Sequence, residues 1–342
     1  MPRSVPASLM NQHAPHTGFL KSRLSALKRL VPEGAPVVHF DYAVYHNVGD
    51  ILISYATEAF FRDNGNRVID SYCIQNYRKA LSKQFSPDTV FVFQGGGNFG
   101  DVHKAHQRLR EDVMRAHPAQ QAVIFPQTVF FKDPKSLEST AALFARFENL
   151  TICGRDQITV AMLQQHFHNN IEALPDIAHY LDGAIAQHGQ TPSAGTLYFV
   201  RQDHPGFANA DIDAIAGAPQ DSLLDWPGFL SAHDWRMMKA GHYLHRLDEK
   251  TLHTPLPLAL WRAWRTGLVI RAFRLFQEHE EVVTNRLHGL ILAMLCAKPV
   301  RAFETGHGKL TTYYQSWLRD DPSVSIDEQC EKSSLMAALA NQ

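Results

Sequence analysis

Apolar and polar positions along this chain change period again and again. Short unbroken runs of β-branched and aromatic residues predict buried strands, and longer stretches at helical spacing predict helices. Pro36–Phe40 (PVVHF) predicts a strand, followed by His46-Asn47-Val48-Gly49-Asp50 and a helix over about Ile51–Asn64. Further strands are predicted at Arg67–Tyr72, Thr89–Gln94, Ala122–Phe125, Leu150–Cys153 and Ile171–Leu174, with a helix from Gly154-Arg155-Asp156 to about His166. Ala184–Ala194 is small, polar and turn-rich and predicts a linker. The pattern then resumes with strands at Thr196–Arg201, Ser222–Trp226, Val282–Thr284 and Pro299–Phe303, and a buried helix over Gly289–Ala297.

Short apolar strands alternating with helices predict parallel sheets. A chain of 342 residues is also too long for one ordinary core. The expected class is therefore α/β, with two Rossmann-like domains facing a cleft. The expected boundaries are an N-terminal arm and amphipathic helix over 1–35, a first domain over 36–190, a second over 191–325 and a C-terminal tail over 326–342.

Charge narrows the partners. Lys and Arg number 33 against 34 Asp and Glu, a formal net charge of -1. Such a chain is not built as a non-specific nucleic-acid binder, and any anion must be held by a local cluster. Cys73, Cys153, Cys296 and Cys330 form no CxxC pair and are expected as free thiols in a reducing compartment. The first residues show no apolar core of a signal peptide, and no apolar run reaches membrane-spanning length, so a cytoplasmic protein is expected. Two basic amphipathic stretches, Phe19–Leu30 and Leu258–Phe276, either pack on the core or lie on an anionic membrane.

Ligands of open parallel sheets bind at the carboxyl ends of the strands. The residues there are polar and glycine-rich: Asn47 and Asp50, Gly95-Gly96-Gly97-Asn98, Pro126-Gln127, Arg155, Pro175-Asp176, and Asn285-Arg286-Leu287-His288. The glycines permit close backbone approach to an anion, or form no more than a tight turn. Asp50 reads as a site residue or a helix N-cap, and Arg155 as an anion clamp or a salt-bridge partner. Arg286 and His288 fall at a strand-to-helix turn, where free N–H groups and the helix dipole favour an anion. No HxxxH, HExxH or GxSxG pattern is present, so neither a metal nor a serine nucleophile is expected.

These pieces together resemble the polysaccharide pyruvyl transferase family. The resemblance rests on HNVGDILI, FQGGGNFGD, FPQTV, CGRD, LPDIAHYL, VVTNRLHGLILAMLCAKPV and GHGKLTTYYQSW, in order over roughly Val38–Trp317. Two features depart from it: Glu304 stands where many members have an aspartate, and Asp203-His204 has no assignable role. The resemblance implies a GT-B-like fold, phosphoenolpyruvate as donor, no further cofactor, and a sugar of a bacterial exopolysaccharide or cell-surface glycan precursor as acceptor. The product is a pyruvate ketal across two sugar hydroxyls, with phosphate released. On that reading Arg155 and Arg286 clamp the donor, and His288 acts as acid or phosphate partner. Asp50 or Asp176 orients or deprotonates the acceptor, and Asn47, Gly96, Gly97, Asn98, Gln127 and Lys309 complete the binding surface. A lipid-linked acceptor would suit a peripheral contact with the inner membrane. Two other readings compete. A glycosyltransferase using a nucleotide sugar needs a ribose-binding acid, for which Glu304 is the candidate. A non-catalytic subunit would have lost the Arg-Leu-His or CGRD residues, and both are intact.

Overall fold

The computed structural model describes residues 14–184, 194–201, 222–252, 254–304 and 308–327. The expected linker, the Asp203-His204 pair, Cys330 and the tail beyond Asp327 lie almost wholly outside that set. The described residues fall into two compact units, one built from Ala26–Tyr180 and Asp225–Arg271 and a smaller one from the remainder. Residues 225–271 thus group with the first unit, where the sequence reading put them in the second domain.

The larger unit is built on an all-parallel sheet of β1 (Pro36–Phe40), β2 (Arg67–Tyr72), β3 (Val90–Phe93), β4 (Gly96–Gly100), β5 (Ala122–Phe130), β6 (Leu150–Gly154) and β7 (Asn170–Ala173). The order is β2-β1-β3-β5-β6-β7, with β4 pairing the second half of β5. Every residue of β3 is buried, the mark of a parallel strand covered on both faces. Val38, Phe40, Phe91, Phe93, Ile124 and Ile152 share one core with Leu109, Val113 and Phe144.

Two local features departed from expectation. Pro126 does not end the strand: β5 runs on to Phe130, and its ladder is irregular between Ile124 and Gln127, where a proline without an N–H is tolerated. The glycine run is likewise a strand rather than a turn. A Cβ on Gly100 would lie 1.8 Å from the Phe130 carbonyl oxygen, so only glycine lets β4 approach β5.

The smaller unit carries a second parallel sheet of β8 (Ala194–Phe199), β9 (Leu223–Leu224), β10 (His279–Thr284), β11 (Val300–Ala302) and β12 (Val324–Ile326), in the order β12-β11-β10-β8-β9. Its central helix, Leu287–Leu295, is buried at Gly289 through Leu295.

The two amphipathic stretches turn their apolar faces inward. Leu20, Leu24 and Leu27 are fully buried. In the helix Leu256–Gln277, Trp261 and Leu268 are buried, while Arg262 donates to Glu58 at 2.8 Å and Arg265 pairs with the other oxygen of the same carboxylate. The face that could have met a membrane is therefore largely core, and three of its arginines, Arg262, Arg265 and Arg271, are paired with carboxylates of the protein. No described helix is long and apolar enough to cross a membrane. Cys73, Cys153 and Cys296 are free and buried, as expected, and burial pushes the Cys73 and Cys296 thiols up to about 12.

His39 of β1 is fully buried on the opposite face of the sheet, edge-on to Phe61. Burial, aided by the charges of Arg262 and Arg265, pulls its imidazole down to about 3. The unfolded chain takes up a proton near 6.5 that the native state refuses, so stability falls as pH drops below that value and goes on falling toward 3. Replacing His39 with Phe removes this liability. Urea unfolding at pH 7 and pH 5 should show the variant gaining about 2 kcal/mol on the wild type at the lower pH. A difference that does not change with pH would contradict the assignment.

Candidate active site

Each sheet is parallel, so each has one carboxyl edge, with a crevice where the strand order reverses. In the larger unit that point lies between β1 and β3, and in the smaller between β8 and β10. Most of the candidate residues gather near these two points, while Arg155 and Asp176 follow β6 and β7.

In the larger unit, β1 is followed directly by Asp41, a non-glycine residue with φ 66. Holding that left-handed conformation costs about 1–3 kcal/mol, and such residues cluster at functional sites. The Asp41 carboxylate is buried. One oxygen accepts from Arg110 at 3.0 Å and the other from His106 Nδ1 at 2.6 Å. Asn98 donates through Nδ2 to Asp41 at 3.2 Å, while its Oδ1 accepts from Arg110 and from Gln127 Nε2, the latter at 3.1 Å. Gln127 also donates to the Gln94 carbonyl at 2.7 Å. Asn98 and Gln127 are thus parts of one buried polar network.

Asn47 is the residue that caps the helix Val48–Asp63, accepting from Gly49 N at 3.1 Å, and its amide donates to Asp50 Oδ2 at 2.6 Å. Asp50 is therefore not the cap. It lies inside the first turn, and a Cβ on Gly96 (φ 123) would sit 3.4 Å from its other oxygen. Tyr45 links Asp50 to the network: burial, and then the carboxylates of Asp50 and Asp41, raise its phenol well above 10. Gly97 follows in β4 and is half-buried. The fold so brings Asn47, Asp50, Gly96, Asn98 and Gln127 to one edge. It adds Asp41, Tyr45, His106 and Arg110, which the sequence reading missed. A signal existed: Asp41 directly follows a strand, and His106 and Arg110 stand four apart in a helix, on one face.

Arg155 and Asp176 are brought together elsewhere on this edge. Arg155 NH1 donates to Asp176 Oδ2 at 2.7 Å, and its Nε to Thr128 at 2.8 Å, with both charges buried. Asp156, next to Arg155 in sequence, instead caps the helix Gln157–His166. A polar pocket of about 430 Å³ also opens in this unit, but its Lys79, Lys83 and Arg262 already face Asp248, Asp70 and Glu58. Their charge is largely neutralised, which makes the pocket a poor anion site.

In the smaller unit, β10 runs into Asn285, Arg286 and the helix Leu287–Leu295. Asn285 ties this turn to the end of β8, accepting from Arg201 N at 2.6 Å and donating to Arg201 O at 3.2 Å. Thr284 Oγ1 donates to Phe199 O at 2.6 Å and accepts from Arg286 N at 3.1 Å. A Cβ on Gly289 would lie 2.5 Å from that same Oγ1, so glycine lets the helix start against the strand. Among the described residues no side chain caps this helix, and its first turn holds no acid. Arg286 and His288 are half-buried beside it. Lys309 opens the helix Lys309–Trp317 at the same sheet edge, after Gly308 at φ 71. Glu304 accepts from Leu310 N at 2.9 Å and Thr311 N at 3.2 Å and so caps that helix. Among the described residues no cluster of His, Cys, Asp and Glu could hold a metal ion.

Breaking a buried ion pair from one side leaves an uncompensated charge and costs about 3–5 kcal/mol. Arg155→Ala and Asp176→Ala should each lose about that much in chemical denaturation, and the double variant less than their sum. Additive losses would show that the two groups do not act as a pair.

The chain is 35% identical to the Bacillus subtilis protein named "Putative pyruvyl transferase EpsO", over 93% of this chain and 97% of that one. It is 27% identical to "Pyruvyl transferase 1" of Schizosaccharomyces pombe, over 78% of this chain and 65% of the relative. A crystal structure of a Klebsiella pneumoniae protein of uncharacterized function shares the fold at a TM-score of 0.55 and 19% identity, covering 90% of this chain and 98% of that one. The family model for polysaccharide pyruvyl transferase matches residues 47–307, a span that holds Asn47, Asp50, the glycine strand, Arg155, Asp176 and the Arg286–His288 turn. The chain belongs to the polysaccharide pyruvyl transferase family.

Proposed function

We propose that the protein transfers the pyruvyl group of phosphoenolpyruvate onto two hydroxyls of one sugar in a surface-glycan precursor, forming a ketal and releasing phosphate. The observation that carries this reading is the Arg286-Leu287-His288 turn. It sets Arg286 and His288 at a helix N-terminus that no side chain caps among the described residues, at the switch point of the second sheet. A donor bearing both a phosphate and a carboxylate needs such a place. Arg286 holds the anion, with Lys309 at the start of the helix that follows β11, and His288 carries a proton to the methylene carbon or to the departing phosphate. Protonation makes C2 electrophilic. An acceptor oxygen bonds to C2, the C2–O bond to phosphate breaks, and the second hydroxyl closes the ketal. Of the two hydroxyl protons, one ends in the methyl group and one leaves with phosphate. Proton transfer and charge stabilisation supply the rate enhancement, and no cofactor beyond the donor is required.

In the larger unit we assign Asp50 to orienting the acceptor, supported by Asn47 and by the close backbone of Gly96 and Gly97. Asn98 and Gln127 shape that crevice through their network. Arg155 serves the site through its pair with Asp176. Charge reaching the donor directly comes, on this reading, from the smaller unit.

Phosphoenolpyruvate should raise the melting temperature of the wild type, by the equivalent of about 2.7 kcal/mol at a hundredfold excess over Kd. Arg286→Ala should abolish the rise while leaving the melting temperature without ligand close to wild type. Stabilisation by a nucleoside diphosphate and none by phosphoenolpyruvate would replace this reading with a nucleotide-sugar glycosyltransferase. A lipid-linked acceptor is one outcome of the acceptor screen that follows.

A further inference from the structure

We infer that His106, oriented by Asp41, takes the proton from an acceptor hydroxyl bound in the crevice of the larger unit, an assignment that rests on the pyruvyl-transfer reading above. His106 stands in the first turn of the helix Lys104–Ala116, and its side chain is 12% exposed. Its Nδ1 faces two groups: Asp41 Oδ1 at 2.6 Å and Asn98 Nδ2 at 2.9 Å.

The surroundings decide which nitrogen carries the proton. Asn98 Oδ1 is taken by Arg110 and Gln127, which turns Nδ2 and its hydrogens toward Asp41 and His106. Were Nδ1 bare, its lone pair would oppose a carboxylate oxygen at hydrogen-bond distance. Nδ1 cannot serve both neighbours, since accepting from Asn98 Nδ2 at 2.9 Å would require it bare; the shorter contact to a carboxylate, at 2.6 Å, decides, so Nδ1 holds the proton and donates to Asp41, the Asn98 amide spends its hydrogen on Asp41 Oδ2, and Nε2 keeps the lone pair. Among the described residues Nε2 has no hydrogen-bond partner. A carboxylate that fixes the tautomer, with the opposite nitrogen open, is the arrangement of a general base.

Three further features point the same way. Asp41 is held at φ 66, a conformation a purely structural carboxylate could avoid. Arg110, fully buried, locks the far oxygen of Asp41 so that the carboxylate cannot turn away. Tyr45 packs edge-on against the His106 ring at 5.6 Å and, being kept protonated, fixes the ring plane without competing for the proton. In the step itself the hydroxyl proton passes to Nε2 as the oxygen–C2 bond forms. The imidazolium then gives that proton up to solvent, so the residue ends unchanged.

The test uses the purified protein, carbon-labelled phosphoenolpyruvate and a glycan-containing extract of the source organism lacking this gene. Transfer is read as acid-labile label in the glycan fraction, and donor binding is followed separately by the thermal shift with phosphoenolpyruvate. His106→Ala should lower turnover by about 100-fold or more. Its KM for phosphoenolpyruvate and its thermal shift should stay within twofold of wild type, and added imidazole should restore part of the rate. Turnover within threefold of wild type, or a loss that imidazole does not repair, would overturn the assignment while leaving the donor reading intact. A wild type that neither shifts nor transfers label would overturn both. Nitrogen-15 spectra of the intact protein give an independent check, since a His106 ring protonated at Nε2 and bare at Nδ1 would also overturn it.

Discussion

Parallel strands cannot be joined by tight turns. Each must be reached by a crossover, and where successive crossovers lead to opposite sides of a starting strand a crevice opens at the carboxyl edge. This constraint governs both units. In the larger, the chain passes from β1 to β2 on one side and then to β3 on the other. In the smaller, it passes from β8 to β9 and then to β10 on the far side. The two crevices therefore follow from strand order alone, before any side chain is considered. The residues that fill them differ: one crevice is lined by a carboxylate–imidazole–guanidinium network, the other by Arg286 and His288 at a helix N-terminus.

The polar groups of the first crevice are costly to bury unless each finds its partners. Asp41 meets this by accepting from His106, Arg110 and Asn98 together. Asn98 and Gln127 complete each other, Asn98 N donating to Gln127 Oε1 at 3.3 Å. Such a network leaves little freedom, and rigid placement is what proton transfer needs. Glu58 plays a comparable part away from the site. It holds Arg262 and Arg265, and the charges of those arginines add to the burial that lowers the His39 imidazole.

Much of this was legible in the sequence because it is local. The apolar runs at Pro36–Phe40 and Arg67–Tyr72 became strands with those same limits, and Val283–Val300 announced a strand, a turn and a buried helix. The Asn47–Asp50 segment was also legible, although the cap went to Asn47. What escaped depends on neighbours far along the chain. Gly96–Gly100 reads as a loop until β5 lies beside it, and β5 reads as ending at Pro126 until β4 pairs with its second half. Arg155 looks like a free cation until Asp176 meets it, and Glu304 looks like a ribose ligand until the helix at Lys309 begins over it. Asp41, His106 and Arg110 stand up to 69 positions apart, and no short motif joins them.

The central claim is that phosphoenolpyruvate binds at the turn between β10 and its helix. A crystal structure of the protein soaked with phosphoenolpyruvate tests it most directly. The account predicts donor density against the N–H groups of the first turn at Leu287–Gly289, in contact with Arg286 and His288. Donor density elsewhere on the protein, with that turn empty, would contradict it.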